Sequence, residues 1–239
     1  MINILYRLSP NVAWQPKNKL DEASKENCLI NTIQNFSHSN IVVFGDMLDS
    51  SLVSFVKNKK LKLIELYNGT GRDTLFSTID YAISTFQKDE IIYLLEDDFF
   101  HYSTGLRFTI KGTPSFCEQL LIEGLEIADY VTLYDHPDKY MTSSPNPYIK
   151  EGGENTKVFL TKSTHWKLTN STVMTFATKV KTLEEDYEVF KEYNKQKLTD
   201  SFRTFLALAK KGRKLISSIP GYSTHTETDW LSPLVNWSK

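Results

Sequence analysis

The first hundred residues alternate between short apolar runs and longer amphipathic stretches. The apolar runs cover residues 2–8, 40–44, 61–67 and 91–95, and polar or turn residues bound each of them. Short runs of this kind predict buried strands. Residues 19–36, 50–58 and 74–86 carry apolar side chains at helical spacing, which predicts helices between the strands. This alternation is typical of an α/β fold whose parallel strands are joined by right-handed crossovers.

The second half of the chain has a less regular pattern. It predicts helices over 114–128, 183–193 and 200–211, and strands over 130–134, 157–161, 164–169, 173–176 and 214–219. The three strands between 157 and 176 are short, which favours antiparallel pairing. Gly212 is placed to cap the last helix at its C-terminal end. Residues 135–153 read as a long loop and 220–239 as an irregular tail, and we expect a single domain over 1–239.

Three consecutive acids, Glu96, Asp97 and Asp98, follow the fourth predicted strand. Carboxylates are costly to bury unpaired, so these three are solvated, paired with basic groups or bound to a cation. Ligands bind at the carboxyl ends of strands in α/β sheets, and oxygen ligands there suit Mg²⁺ or Mn²⁺ carrying phosphates. The alternative is an acidic surface loop, and the triplet alone leaves both open.

Other polar side chains end the neighbouring predicted strands. Tyr6 and Arg7 end the first strand, Asp46 follows the second, and Asn68 and Arg72 follow the third. Parallel strands place these positions at the same edge as the acidic triplet, which predicts a nucleotide site. The alternatives are a packing role for the tyrosine, a turn role for the aspartate and a surface ion pair for Arg72.

Composition limits the classes of protein to which the chain could belong. The 239 residues are 40% hydrophobic and 13% aromatic, which is enough for a sizeable core, and the net charge of −1 argues against a nucleic-acid partner. Two cysteines, Cys28 and Cys117, fit a reducing compartment. The N-terminus is too polar for a signal peptide and no apolar run is long enough for a transmembrane segment. We therefore expect a cytoplasmic protein.

The order of these features resembles the family-2-type glycosyltransferases of the GT-A fold. The strand ending at Asp46, the Asn68-Gly69 turn and the acidic triplet follow that family's order, and the triplet resembles its DxD motif with Glu96 in the first position. Residues 199–215 resemble the family's Glu-Asp segment, with Thr199 in place of the glutamate. Residues 220–225 resemble its Pro…His element. The resemblance implies a Rossmann-type, mostly parallel sheet flanked by helices, with a smaller antiparallel portion on the acceptor side.

The resemblance also implies roles for individual residues. Asp98 would be the main ligand of Mn²⁺ or Mg²⁺ and His225 a further one, while Asp97 and Glu96 would assist at the donor. Asp200 would be the general base. The alternatives are that Asp200 is only the N-cap of the helix after it, and that His225 is an ordinary tail histidine. Residues 1–100 would then bind the nucleotide sugar, and 101–239 would form the acceptor side and the tail.

The function implied is metal-dependent transfer of a sugar from a nucleotide-diphosphate donor to a hydroxyl, with inversion. The acceptor would be a glycan, a glycoside or a lipid-linked sugar, and the last of these would bring the protein to a membrane surface. His165 and Trp166 are the expected acceptor-side residues, with an ordinary hairpin as the alternative. Two other functions remain open: a nucleotidyltransferase-like enzyme, and a non-catalytic nucleotide- or sugar-binding protein.

Overall fold

The computed structural model describes residues 1–10, 18–102, 113–141, 149, 153, 155–196 and 199–237. The strands are β1 (Ile2–Leu8), β2 (Asn40–Asp46), β3 (Lys62–Leu66), β4 (Ile91–Glu96), β5 (Phe99–His101), β6 (Tyr130–Thr132), β7 (Val158–Leu160), β8 (His165–Leu168), β9 (Phe176–Lys179), β10 (Leu215–Ile219) and β11 (Ser223–His225). The α-helices are α1 (Lys25–Asn35), α2 (Ser50–Asn58), α3 (Gly71–Thr85), α4 (Phe116–Gly124), α5 (Val180–Glu185), α6 (Tyr187–Tyr193) and α7 (Ser201–Lys210). Two 3₁₀ turns cover Pro137–Tyr140 and Thr228–Trp230.

One large sheet runs through the molecule in the order β3-β2-β1-β4-β9-β6-β10-β8-β7. The strands β3, β2, β1 and β4 are parallel neighbours, so their carboxyl ends share one edge. Because β9 is antiparallel to both β4 and β6, the strands β6 and β10 point the same way as β4. The predicted fold class is confirmed: a mostly parallel sheet flanked by helices, with antiparallel pairs in the second half.

The central strands are buried on both faces, which explains their unbroken apolar runs. Successive side chains of β1 point to opposite faces: Ile4 packs in one hydrophobic cluster with α1, α2 and α4, and Leu5 packs in the other with α3, α5, α6 and α7. The helices therefore lie on both sides of the sheet. In the described residues no helix has the length and apolar character needed to cross a bilayer.

Two helix boundaries differ from the sequence prediction. The first helix begins at Lys25 rather than residue 19, because Ser24 caps it by accepting a hydrogen bond from Asn27 N at 3.0 Å. Lys19 instead forms a β-bridge with Glu227. The predicted helix over 183–193 is two helices that meet at Asp186, and α5 begins upstream of the predicted start.

Two strand predictions also differ. The strand expected over 173–176 is β9, three residues further on, because Val173 and Met174 have φ of 47° and 53° and form a turn. The tail expected to be irregular contains β11, which pairs antiparallel with β5. Three-residue strands carry too little periodicity to be found from sequence.

The contact between α4 and β6 is close enough to require glycine at the end of the helix. A Cβ at Gly124 would lie 2.8 Å from Val131 Cγ1 and 3.2 Å from Trp166 Cη2. All three positions are in the interior, where added volume forces neighbouring side chains to shift.

We expect Gly124→Ala to lower the free energy of unfolding by about 1–3 kcal/mol, because the new methyl group overpacks this contact. Urea denaturation measures the effect. Gly71→Ala is the matched control: its Cβ would meet no atom of the described chain within 4 Å. Equal stability of both variants and the wild type would contradict the packing argument.

Candidate functional site

A cleft of about 620 Å³ opens at the carboxyl edge of the parallel strands. Its walls are formed by the carboxyl ends of three strands and the residues next to them, by the start of α3 and by α1. The lining residues are 7–10 at the end of β1, Asp46 and Met47 at the end of β2, 96–98 at the end of β4, 69–71 and Thr74 around the start of α3, and Lys25 of α1. Small-ligand pockets have volumes of about 300–1,000 Å³. The cleft is therefore large enough for a nucleotide, and the acidic triplet forms one wall.

Asp97, the middle acid of the triplet, is buried, and its carboxylate has different partners from that of the neighbouring Asp98. It accepts hydrogen bonds from Ser9 N at 2.6 Å and Ser9 Oγ at 2.9 Å, and its Oδ1 pairs with Lys25 Nζ at 2.5 Å. These partners belong to the turn after β1 and to α1. The carboxylate thus joins three segments of the cleft wall and is already satisfied by the protein.

Glu96 and Arg7 form a second ion pair in the wall. Arg7 Nη2 lies 3.0 Å from Glu96 Oε1 and also donates to the carbonyl oxygen of Met174 at 2.8 Å. Burial raises the pKa of Glu96 to about 7, because desolvation outweighs the attraction of Arg7. Arg7 thus connects the carboxyl end of β1 to the end of β4 through Glu96, and to the turn that precedes β9 through Met174.

The third acid, Asp98, meets two residues of the C-terminal segment. Asp98 Oδ2 lies 3.1 Å from His225 Nε2, and one ligand atom each from Asp98, His225 and Glu227 lie within 4.8 Å of one another. The backbone holds this arrangement, since Thr226 N donates to the Asp98 carbonyl oxygen at 2.9 Å and β11 pairs with β5. Two carboxylates and an imidazole therefore converge beside the cleft.

This donor set fits a divalent cation. Asp98 Oδ1 is buried and has no hydrogen-bond partner among the described residues, although a buried carboxylate oxygen normally has one. His225 Nδ1 accepts from Glu227 N at 3.3 Å, which turns Nε2 toward the carboxylate. Carboxylates with one imidazole suit Mn²⁺.

Attraction between Asp98 and His225 shifts the pKa of both side chains. Burial favours the neutral form of Asp98, but His225 outweighs it and holds the pKa of that carboxyl well below its usual range. Burial likewise disfavours the charged imidazole, but Asp98 raises the pKa of His225 above its usual value. In both cases the net direction reflects the attraction between the charged forms of the two side chains.

Asp46 shapes the turn after β3 and has little freedom to bind a ligand. Its carboxylate accepts from Asn68 N at 2.7 Å, Gly69 N at 3.0 Å and Thr74 Oγ1 at 2.9 Å. Gly69 has a φ of 68°, which favours glycine. The side chain of Asn68 turns away and donates to Ser77 Oγ at 3.0 Å.

Arg72, Tyr6 and Trp166 make contacts elsewhere in the protein and do not line the cleft. Arg72 pairs with its neighbour Asp73 at 3.3 Å rather than with Asp46 or Asp98. Tyr6 is completely buried in the core, so its ring has no exposed face for a base. Trp166 is also completely buried, and its Nε1 donates to Thr161 Oγ1 at 3.0 Å. The interpretation of Tyr6 as part of the nucleotide site and of Trp166 as an acceptor-side residue is corrected, because both rings fill the interior.

His165 is exposed at the start of β8, opposite Ile219 at the carboxyl end of β10. Asp200 is the N-cap of α7, and its Oδ1 accepts from Arg203 N at 2.9 Å. The next residue, Ser201, has its Oγ 3.0 Å from Thr172 Oγ1 in the turn whose Met174 contacts Arg7. The structure therefore brings Asp200 to the same edge of the sheet as the cleft, with its carboxylate about one-third exposed.

Sequence reasoning missed Lys25 and Glu227. Glu227 stands two positions after His225, and in an extended segment that spacing places both side chains on one side. This signal was present in the sequence. Lys25 gave no comparable signal, because its partner Asp97 is 72 residues away and the pair depends on how α1 packs.

Comparisons with known proteins establish the fold. No family model matches the chain, and no curated protein matches it either. Among solved structures, S. aureus TarS 1–349 superposes with a TM-score of 0.52 at 12% identity, over 93% of this chain and 59% of that one. The chain thus has a GT-A-like mixed α/β fold.

Two further matches are weaker. A protein described as a nucleotide-diphospho-sugar transferase, from Desulfovibrio desulfuricans G20, gives a TM-score of 0.49 at 10% identity, over 90% of this chain and 78% of that one. A CMP:2-keto-3-deoxy-manno-octonic acid synthetase in complex with CTP gives 0.49 at 14% identity, over 92% of each chain. TM-scores below 0.5 are too low to support a conclusion about the fold or function of this chain.

We expect Mn²⁺ to raise the melting temperature of the wild-type protein, because a ligand that binds only the folded state stabilises it. At a concentration of about 100 times Kd the gain is about 2.7 kcal/mol, or several degrees for a domain of this size. Differential scanning fluorimetry measures the shift.

Asp98→Asn should abolish this shift and Glu227→Gln should reduce it. The matched control is Asp73→Asn, which changes a half-exposed carboxylate paired with Arg72 outside the cleft and should leave the shift intact. A wild-type protein insensitive to Mn²⁺ and Mg²⁺ would contradict the metal site.

Proposed function

We propose that the protein is a metal-dependent glycosyltransferase that moves a sugar from a nucleotide-diphosphate donor to a hydroxyl acceptor with inversion. The observation that carries the proposal is the convergence of Asp98, His225 and Glu227 beside the cleft at the carboxyl edge of the sheet. Such an edge is where α/β proteins bind nucleotides. The GT-A-like fold is consistent with it.

Asp98, His225 and Glu227 would hold the cation. A divalent cation at this position would neutralise the negative charge that develops on the departing diphosphate. The nucleotide would lie in the cleft between the turns after β1 and β3. Lys25 and Arg7 add positive charge to that wall, although Asp97 and Glu96 already pair with them.

Asp200 would act as the general base. In an inverting transfer the acceptor oxygen attacks the anomeric carbon from the face opposite the diphosphate, and the bond to the diphosphate breaks as the new bond forms. The acceptor hydroxyl must lose its proton in that step, and a positioned carboxylate can take it. The location of Asp200 at the cleft edge of the sheet supports this role. Its Oδ1 accepts from Arg203 N, and its Oδ2 lies 3.5 Å from Arg203 Nε.

We expect one nucleoside diphosphate to bind only in the presence of Mn²⁺, because a cation held by Asp98, His225 and Glu227 would supply the positive charge that its phosphates need. Isothermal titration calorimetry with UDP, GDP, dTDP and CMP, each with and without Mn²⁺, measures this. Asp98→Ala should abolish binding, and Asp73→Ala should preserve it. Failure of every nucleotide to bind the wild type would overturn the proposed donor site, and tight metal-independent binding of CMP would indicate a different class of transferase.

We expect Asp200→Asn to lower the rate of sugar transfer by about 10²–10⁴-fold while nucleotide affinity stays unchanged, because the amide cannot accept the acceptor proton. The asparagine can still cap α7, so the fold is preserved. Transfer is followed as release of the nucleoside diphosphate from its sugar conjugate. An unchanged rate would remove Asp200 from the mechanism.

A further inference from the structure

An exposed methionine side chain lines the cleft at the carboxyl end of β2. Met47 is 53% exposed, although methionine is a residue type that folding usually buries. Its φ of 55° lies in the left-handed region, which disfavours residues that carry a Cβ and favours glycine and asparagine. Neither burial nor backbone conformation therefore explains a methionine at this position.

The turn after β2 directs this side chain into the cleft. Met47 N donates to the carbonyl oxygen of Leu66 at 2.9 Å, which ties the turn to the end of β3. The next side chain, Leu48, packs against the core and leaves no room for a Cβ at Gly45. Leu48 thus makes the apolar contact between the turn and the core, while the side chain of Met47 faces the cleft.

The charged group beside Met47 is committed to the protein. The Asp46 carboxylate is buried and already accepts hydrogen bonds from Asn68 N, Gly69 N and Thr74 Oγ1. A ligand that drew on this carboxylate would compete with the bonds that hold the turn after β3. The turn after β2 therefore presents to a ligand chiefly the thioether of Met47, which is apolar and polarizable.

Met47 and the candidate metal site lie at opposite ends of the cleft. In the sheet β1 separates β2 from β4, so the carboxyl ends of β2 and β4 are two strand spacings apart, about 10 Å. Asp98 follows β4 and Met47 follows β2, and both residues line the cleft. A nucleoside diphosphate whose phosphates lie at the Asp98 end can therefore extend its base toward Met47.

We propose that Met47 is the surface against which the aromatic base of the donor nucleotide packs; this rests on the proposed function and deepens it by naming the residue that contacts the base. The sulfur of methionine makes favourable contacts with aromatic rings, and its unbranched side chain adapts to their shape. The left-handed backbone is consistent with this role, because strained conformations persist where a binding site requires them.

Calorimetry with a probe that lacks a base tests the proposal. UDP, GDP and dTDP are titrated with Mn²⁺ in parallel with inorganic pyrophosphate, and the wild type should bind at least one nucleotide more tightly than pyrophosphate. Met47→Gly should raise the Kd of that nucleotide about tenfold, the effect of one sulfur–aromatic contact, and leave the Kd of pyrophosphate unchanged. Met47→Leu keeps an apolar side chain and should retain most of the affinity.

Leu234→Gly is the matched control. Leu234 is also an exposed apolar residue with a left-handed backbone, being 81% exposed with a φ of 70°, but it does not line the cleft. Glycine adopts this conformation without steric cost, so neither glycine variant should melt far below the wild type. Leu234→Gly should bind the nucleotide with wild-type affinity, and weaker binding by Met47→Gly then reports the lost side chain.

NMR of methionine methyl groups gives a direct readout that does not depend on the glycine variants. The chain has four methionines, and the signal missing from Met47→Leu identifies Met47. With diamagnetic Mg²⁺ in place of Mn²⁺, a base packed on the thioether should shift this methyl signal upfield through its ring current. Pyrophosphate, which has no ring, should leave the signal in place.

The outcomes separate this proposal from the proposed function. A wild type that binds pyrophosphate as tightly as every nucleotide, wild-type nucleotide affinity in Met47→Gly, or a Met47 methyl signal that the nucleotide does not move would overturn the role of Met47 and leave the metal and phosphate site standing. A wild type that binds neither pyrophosphate nor any nucleotide would refute both proposals.

Discussion

The buried carboxylate of Asp97 sets the geometry of the candidate site. A charge in the interior must be paired, and the partners available to it are Lys25 and Ser9, which come from α1 and from the turn after β1. Pairing Asp97 inward fixes the turn after β4. Asp98, the next residue, then carries the carboxylate that meets the C-terminal segment.

The C-terminal segment completes the site because the backbone ties it to the sheet edge. The pairing of β11 with β5 brings His225 opposite Phe99, and the bridge between Lys19 and Glu227 closes the other side of the segment. Backbone hydrogen bonds hold a side chain more firmly than a flexible tail could, and a metal site needs its ligands at fixed distances. This is why a residue more than a hundred positions from Asp98 can act with it.

The charged groups buried near the site have two different roles. Asp46 and Asp97 are satisfied within the protein and position turns around the cleft. Asp98 Oδ1 is buried and has no hydrogen-bond partner in the described part of the chain, which distinguishes it from these two acids. The distinction between adjacent Asp97 and Asp98 depends on orientation, because the two residues are chemically identical.

The sequence by itself determined the parallel half of the sheet, because β1, β2, β3 and β4 are local apolar runs separated by amphipathic helices. Its order of motifs, through the resemblance to the family-2-type glycosyltransferases, also predicted Asp98, His225 and Asp200 as site residues. Tertiary structure alone decided which of these side chains face the cleft. Tyr6 and Trp166 are aromatic residues in suggestive positions, yet both fill the core. Lys25 gained its place at the cleft from a contact with Asp97, 72 positions away. Local pattern encodes which face of an element is apolar, whereas the position of a polar side chain depends on the partners that folding brings to it.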